Sequence, residues 1–245
     1  MNPCGRAYVI GLTGQSGAGK TTVCGVFRRE GFDVIDADLI SREVTRKGEP
    51  CLNELAEAFG SGILLPDGSL DRKKLGSIVF SDSERLRQLD GICYPYIIFR
   101  IIRCIEELSA SGSKLIILDA PTLFESNADD LCDLIISVTA DEKLREERIT
   151  ARDHISPEAA RKRFNSQYSE HFFVSHSDFV IKNNKTPEIL VAKAEEAADK
   201  IKEYYNAKKY GEASAQKKEH RSAAVHRLLQ AARAQLDLCL STEIC

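Results

Sequence analysis

Residues Tyr8–Thr22 read YVIGLTGQSGAGKTT. The first six, Tyr8–Thr13, are a short β-branched apolar run that ends in glycines and gives way to a helix-like segment from Lys20 to Glu30, the pattern of strand, loop and helix. Inside it, GQSGAGKT (Gly14–Thr21) fits G-x-x-x-x-G-K-[ST], and the flanking strand and helix are the context this phosphate-binding motif requires. Gly14, Gly17 and Gly19 let the loop curl so that successive amide N–H groups point inward, and the N-terminus of the next helix adds positive dipole. The loop of Gly14, Gln15, Ser16, Gly17, Ala18, Gly19, Lys20, Thr21 and Thr22 is therefore expected to cradle a nucleoside triphosphate. Lys20 is expected to reach the β- and γ-phosphates, and the Thr21 hydroxyl to ligate Mg2+.

Working outward, a second short run lies at Phe32–Asp36, and Lys114–Asp119 (KLIILD) and Leu134–Thr139 (LIISVT) are fully apolar, as buried parallel strands are. Phe179–Lys182 is a weaker fifth candidate. Helical patterns separate these strands, so the fold class is α/β: a parallel sheet with helices on both faces. Residues 43–109 show no convincing strand, and their helical periodicity is interrupted at Gly60, Gly62, Pro66, Gly68 and Pro95, as in a helical insertion. Arg145–Gln167 is helical and polar, with Arg145, Arg148, Arg152, Arg161 and Arg163 arranged around a break at Ser156 and Pro157. Such a segment suits a lid over phosphates. Beyond Tyr205 a stripe of Val225, Leu228, Leu229, Ala232 and Leu236 has helical spacing. The expected organisation is a core of residues 1–43, 110–140 and 175–205, an insertion of 44–109, a lid of 141–174 and a C-terminal helical extension of 206–245.

With 245 residues, 43% hydrophobic and 29% charged, the chain has the composition of a globular domain with a sizeable core. A net charge of −3 gives no electrostatic case for a polyanion, so nucleic acid is not an expected partner. No apolar run approaches the roughly 20 residues that cross a bilayer, and no secretory leader is visible, so no membrane is expected and the location is read as cytoplasmic. The eight cysteines show no C-x-x-C pair and no zinc-finger spacing. They read as small buried hydrophobes or free thiols, without a disulfide framework.

Asn184-Lys185-Thr186-Pro187 lacks the aspartate of a guanine-reading N-K-x-D, which favours ATP. Asp36 and Asp38 stand at the end of the second expected strand, and ligands bind at the carboxyl ends of parallel strands. One carboxylate there suits the proton of an attacking hydroxyl, the other a substrate sugar or magnesium-bound water; either alone also suits a helix cap.

GLTGQSGAGKTT, VIDADLISREV (Val34–Val44) and FGSGILLPDGSLDRKKLGSIVF (Phe59–Phe80) together resemble dephospho-CoA kinase. Leu89–Pro95, DAPTLFE (Asp119–Glu125), RITARD (Arg148–Asp153), RFNSQ (Arg163–Gln167) and SDFVIKNN (Ser177–Asn184) continue the resemblance, which covers about residues 8–200. It implies a P-loop kinase with a helical acceptor domain and a lid, in which ATP phosphorylates the ribose 3′-hydroxyl of dephospho-CoA, the last step of coenzyme A synthesis. It implies Asp38 as general base, with Arg42 one turn on and the Asp71–Arg72 pair contacting the acceptor. Arg148 and Arg152 match lid arginines, and Asp119, closing an apolar strand, looks like a Walker-B-type acid near magnesium. Taken without the resemblance, Arg72 and the lid arginines also suit solvated helix faces, and Asp119 a strand-end acid.

The chain departs from the family pattern at Tyr94, where a His is usual before Pro95, at Thr122 in place of a leucine, at Arg145 in place of a frequent Gln, and at Lys182-Asn183-Asn184. A nucleotide-binding regulator with no acceptor is the alternative from a different class, separable by phosphoryl transfer. Nothing in the pattern specifies an oligomeric state.

Overall fold

The computed structural model describes residues 6–210. The expected C-terminal stripe from Val225 to Leu236 lies outside the described residues. Two compact units emerge: residues 6–36 with 105–210, and residues 37–104.

The first unit is the α/β layer. Five strands, β1 (Tyr8–Gly14), β2 (Asp33–Asp36), β3 (Leu115–Asp119), β4 (Leu134–Thr139) and β5 (Phe179–Lys182), form one parallel sheet in the order β2-β3-β1-β4-β5. Strands β1, β3 and β4 read as continuous apolar runs because both faces of the central sheet are covered. On one face Tyr8, Ile10 and Leu12 pack with Leu134, Ile136 and Val138 against α1 (Lys20–Arg29) and the helix Pro187–Tyr210. Phe27, Val23, Leu190, Ala194, Ala198 and Ile201 complete that layer. On the other face the backbone of Gly11 meets Cys132 and Leu123, where a Cβ would come within 2.8 Å of both. Ser137 there bonds to Ser177, just after the short helix Glu170–Ser175.

The chain crosses the sheet centre at β1, so the loops after β1 and after β3 diverge from neighbouring strand ends, the place where open parallel sheets bind ligands. Asp36 and Asp119 stand in register at two of those ends.

The second unit is helical: α2 (Ala37–Val44), α3 (Pro50–Phe59), a 3-10 turn (Ser61–Ile63), α4 (Arg72–Val79) and most of α5 (Ser83–Ala110). A single antiparallel bridge, Leu64 with Leu70, closes the turn that holds Pro66 and Gly68. The expected interruption at Pro95 does not occur: Pro95 lies inside α5. A proline inside a helix removes one hydrogen bond and crowds the carbonyl four residues back, which here belongs to Gly91. That glycine has open space around its missing Cβ, and Ile92, Tyr96, Ile97, Ile98, Ile101 and Ile102 are all buried. Burial of that apolar face outweighs a local cost of about 3 kcal/mol.

After β4 the chain forms α6 (Glu142–Asp153), then α7 (Pro157–Asn165) and α8 (Glu170–Ser175), before β5 and α9 (Pro187–Tyr210). The expected break at Ser156 is an N-cap, with its hydroxyl accepting the Ala159 N–H at 3.2 Å and Pro157 at the first helical position. His154, in the left-handed region at φ 54°, ends α6.

Candidate active site

The phosphate loop is shaped by its glycines and by what lies beneath it. Gly14, Gly17 and Gly19 have φ of 143°, 80° and 102°, all in the region that disfavours a side chain. The packing excludes one as well: a Cβ on Gly14 would lie 2.2 Å from the Val138 carbonyl oxygen, and one on Gly19 would lie 2.6 Å from Asn183 Nδ2. Gln15 N–H donates to the Val138 carbonyl at 3.3 Å and Ala18 N–H to the Gln15 carbonyl at 3.1 Å, which closes the curl. Gly19 is the N-cap of α1, and no side chain caps that helix. The positive end of its dipole is thus presented by backbone alone, as in anion sites at helix N-termini.

Four polar side chains from elsewhere in the chain meet this loop: Asp119, Arg148, Gln167 and Asn183. Lys20 pairs with the Asp119 carboxylate at the end of β3, and both are mostly shielded, with 17% and 14% of their side chains exposed. Arg148, on α6, lies 3.4 Å from the Gly17 carbonyl and donates to the Asn183 carbonyl at 3.2 Å. Gln167, after α7, accepts the Ser16 N–H at 3.0 Å through Oε1. An oxygen acceptor is thereby seated on a loop amide, the role a phosphate oxygen takes in such loops.

The first-unit residues singled out in the sequence are therefore brought together: the loop, Lys20, Asp119, Arg148 and, beside Asp119 in register, Asp36. Arg152 instead pairs with Asp153 at 2.6 Å, and Arg163 reaches the same carboxylate at 2.7 Å. Arg161 pairs with Glu146. Arg145 belongs to the core: it is 5% exposed, donates to the Ala140 carbonyl at 3.1 Å and lies 4.2 Å over the Phe164 ring, and burial lowers its pKa. Lys182 is paired with Asp141 and Glu170.

Three contributors escaped sequence reasoning. Asn183, 6% exposed, donates to the Ala18 carbonyl at 2.8 Å and so ties β5 to the loop. Its signal was a polar residue directly after an apolar strand. Gln167 carried no signal beyond its place in RFNSQ. Cys24, on α1, has its thiol pushed up to about 11 by burial and then by the neighbouring Asp119, to which it hydrogen-bonds, so it stays protonated under the loop.

In the second unit, Asp38 lies in the first turn of α2, where a carboxylate favours the helix dipole, and Arg42 lies in the last. Both are exposed. Asp71 caps α4 by accepting the Lys74 N–H at 3.0 Å. Arg72 donates to Thr45 Oγ1 at 2.6 Å and stands 3.5 Å from the Arg42 carbonyl. Burial first, then the charge of Arg42, lower the Arg72 pKa. The Arg42 side chain thus lies within electrostatic reach of the Arg72 guanidinium. Tyr94 bonds to Asp90 one turn back, which opposes the rise that burial imposes on that carboxyl.

Among the described residues no group of three or more His, Cys, Asp or Glu is placed to hold a metal ion. Thr21, in the first turn of α1, and Asp119 are hard oxygen donors, and one or two such ligands completed by substrate phosphates and water is the usual set for magnesium. The donor chemistry fits.

A model of the family described as dephospho-CoA kinase matches residues 8–188. The chain belongs to the dephospho-CoA kinase family. It is 42% identical over 178 residues to the dephospho-CoA kinase of Bacillus cereus, covering 73% of this chain and 89% of that protein. To the dephospho-CoA kinase of Oryza sativa it is 37% identical over 195 residues, covering 80% and 85%. Among solved structures, a protein from Thermus thermophilus is 31% identical with a TM-score of 0.68, over 78% of this chain and 96% of that one. The dephospho-CoA kinase from Campylobacter jejuni is 27% identical with a TM-score of 0.61, over 79% and 96%. The family span takes in the whole phosphate loop, both aspartates of the DAD string and the arginines of α6.

Proposed function

We propose that this chain transfers the γ-phosphoryl group of ATP to the ribose 3′-hydroxyl of dephospho-CoA, giving coenzyme A and ADP. The observation that carries the reading is a complete phosphate loop, with its helix N-terminus uncapped by side chains, inside the 8–188 span of the family.

The β- and γ-phosphates of ATP lie on the loop amides, and a phosphate oxygen replaces Gln167 Oε1 on the Ser16 N–H. Lys20 turns from Asp119 to the phosphates, where a mobile ammonium follows the charge as it moves to the leaving oxygen. Arg148, already anchored beside Gly17, adds fixed positive charge where the transition state spreads negative charge over the γ-oxygens. Thr21 and Asp119 would hold magnesium, which when bound would neutralise negative charge on the transferring phosphates.

Asp38 takes the proton of the ribose hydroxyl, and Asp36 orients the sugar. Arg42 and Arg72 hold an acceptor phosphate, with Asp71 fixing the start of the helix that carries Arg72. In this reading residues 44–109 serve the acceptor and residues 141–174 act as the lid. We place the reaction in the cytosol, with small molecules as partners and neither nucleic acid nor membrane; among the described residues no helix is long and apolar enough to cross a bilayer.

The test is direct. Purified protein with ATP, magnesium chloride and dephospho-CoA is expected to yield coenzyme A and ADP in equal amounts, read by liquid chromatography with mass detection. ADP formed without coenzyme A would overturn the acceptor assignment.

A further inference from the structure

Cys51 and Cys93 take no part in the reaction above, yet their side chains meet. Cys51, near the start of α3, is fully buried, and Cys93, in α5, keeps 8% of its surface exposed. Their sulfurs stand 3.9 Å apart. One turn further along both helices the Tyr96 hydroxyl donates to Glu54 Oε2 at 3.1 Å, so a second contact holds the helices in register here.

The surroundings of the two thiols differ. The hydrogen bond to Cys93, then burial, push the pKa of Cys51 well above the ordinary thiol value, so Cys51 keeps its proton. Cys93 lies within electrostatic reach of the Arg72 guanidinium, the group that also binds Thr45 and approaches the Arg42 carbonyl. Cys93, the more exposed of the two, is the sulfur an oxidant reaches first, and Cys51, fully buried behind it, is the resolving sulfur; both stand beside Arg72, assigned above to the acceptor.

We infer that Cys51 and Cys93 are a redox modification site, at which peroxide forms a reversible disulfide that weakens acceptor binding through Arg72. The Cys93 sulfur, giving up its proton, attacks one oxygen of hydrogen peroxide and the O–O bond breaks. Cys93 becomes a sulfenic acid, and the departing hydroxide takes up the proton Cys93 had released. Cys51 then attacks the Cys93 sulfur, the S–O bond breaks, and water leaves with the Cys51 proton as the S–S bond forms. In total the two thiols lose two electrons and two protons, and one peroxide becomes two waters.

A disulfide bond is about 2.05 Å long, so the sulfurs must close a gap of 3.9 Å, and in a close-packed contact that draws α3 towards α5. The movement is made beside Arg72, within whose electrostatic reach Cys93 lies. Peroxide is small enough to reach a thiol that is 8% exposed, whereas glutathione disulfide is not. The consequence for the acceptor rests on the proposed role of Arg72; the bond itself does not.

The test uses the full chain, reduced, freed of reductant and exposed to hydrogen peroxide or to glutathione disulfide. Remaining thiols are blocked with N-ethylmaleimide, and peptides are mapped by mass spectrometry without reduction. Peroxide, but not glutathione disulfide, is expected to yield the Cys51–Cys93 linked peptide. It should also raise the KM for dephospho-CoA about ten-fold, as loss of a charge-assisted contact does, leave the KM for ATP unchanged, and be reversed by dithiothreitol. Cys51→Ala should trap Cys93 as a sulfenic acid that reacts with dimedone, and Cys93→Ala should keep one KM before and after peroxide. A map in which the partly exposed Cys104 is oxidised but no linked peptide forms overturns the proposal, as does a linked peptide with an unchanged acceptor KM. If the reduced protein makes no coenzyme A at all, the proposed function falls while the peptide map still decides the bond.

Discussion

The phosphate loop of the first unit and the Arg42–Thr45–Arg72 cluster of the second both suit negative charge, but they are made differently. The loop is backbone: three glycines at positive φ, packed so tightly that a Cβ at Gly14 or Gly19 would collide with Val138 or Asn183. The cluster is side chain: exposed arginines on two helix ends, with the Arg72 guanidinium bonded to the Thr45 hydroxyl. Backbone amides are ordered by folding and are already in place when the ligand arrives. Long side chains lose rotamer freedom only on binding, at a cost of about 0.5–1.5 kcal/mol each. Change in the loop should therefore reach everything that depends on the nucleotide, whereas change in the cluster should reach the acceptor alone.

The largest effect is expected from Lys20→Ala. Losing the only mobile cation assigned to the transferring group should lower kcat by about 10³-fold, measured as ADP release coupled to coenzyme A formation. Asp38→Asn keeps the shape of the side chain and removes the base, so kcat should fall by about 10²-fold while the Kd for ATP, measured by calorimetry, changes little. Near-normal turnover in that variant would remove Asp38 from the chemistry and erase the division of labour between the units.

Arg72→Lys keeps the charge but loses the planar fork that reaches Thr45, and a lysine is not equivalent at such a site. The KM for dephospho-CoA should rise about ten-fold with the KM for ATP unmoved; a matching rise in both would show that the cluster is not specific to the acceptor.

The smallest effect is expected at Asp153. The hydrogen bond from Arg152, the largest influence, together with Arg163, holds its carboxyl down at about 2. Its folded value is depressed, so its contribution is present above the unfolded value of about 3.9 and is lost as pH falls through about 2. Asp153→Asn should cost about 0.5 kcal/mol at pH 7, as exposed pairs do, and nothing near pH 2, read from urea midpoints. Unchanged activity would mark the Arg152–Asp153–Arg163 group as a brace of the α6–α7 corner.

This contrast also explains what could be read in the sequence. The three central strands were visible because burial on both faces demands apolar runs, whereas the edge strands Asp33–Asp36 and Phe179–Lys182, with one buried residue each, were legible only as short runs. The loop was legible to the residue because its geometry needs glycine at fixed positions. Arg42, Asp71 and Arg72 were visible only through family resemblance, since exposed charges at helix ends have no pattern of their own. Pro95 misled because the rule for a proline is local, whereas the row of buried isoleucines that keeps α5 intact is a property of the fold. Arg145 looked like a solvated lid residue because its burial depends on Phe164, which lies beyond a helix break.

Asn183 joins parts that sequence keeps far apart. Its amide holds the Ala18 carbonyl, its own carbonyl holds Arg148, and its N–H donates to Thr139. The loop, the middle of α6 and the end of β5 are thus one cooperative block, in which no part opens while the others stay closed. In native-state hydrogen exchange their amides should open together with a shared free energy, and nucleotide should slow all three by the same factor.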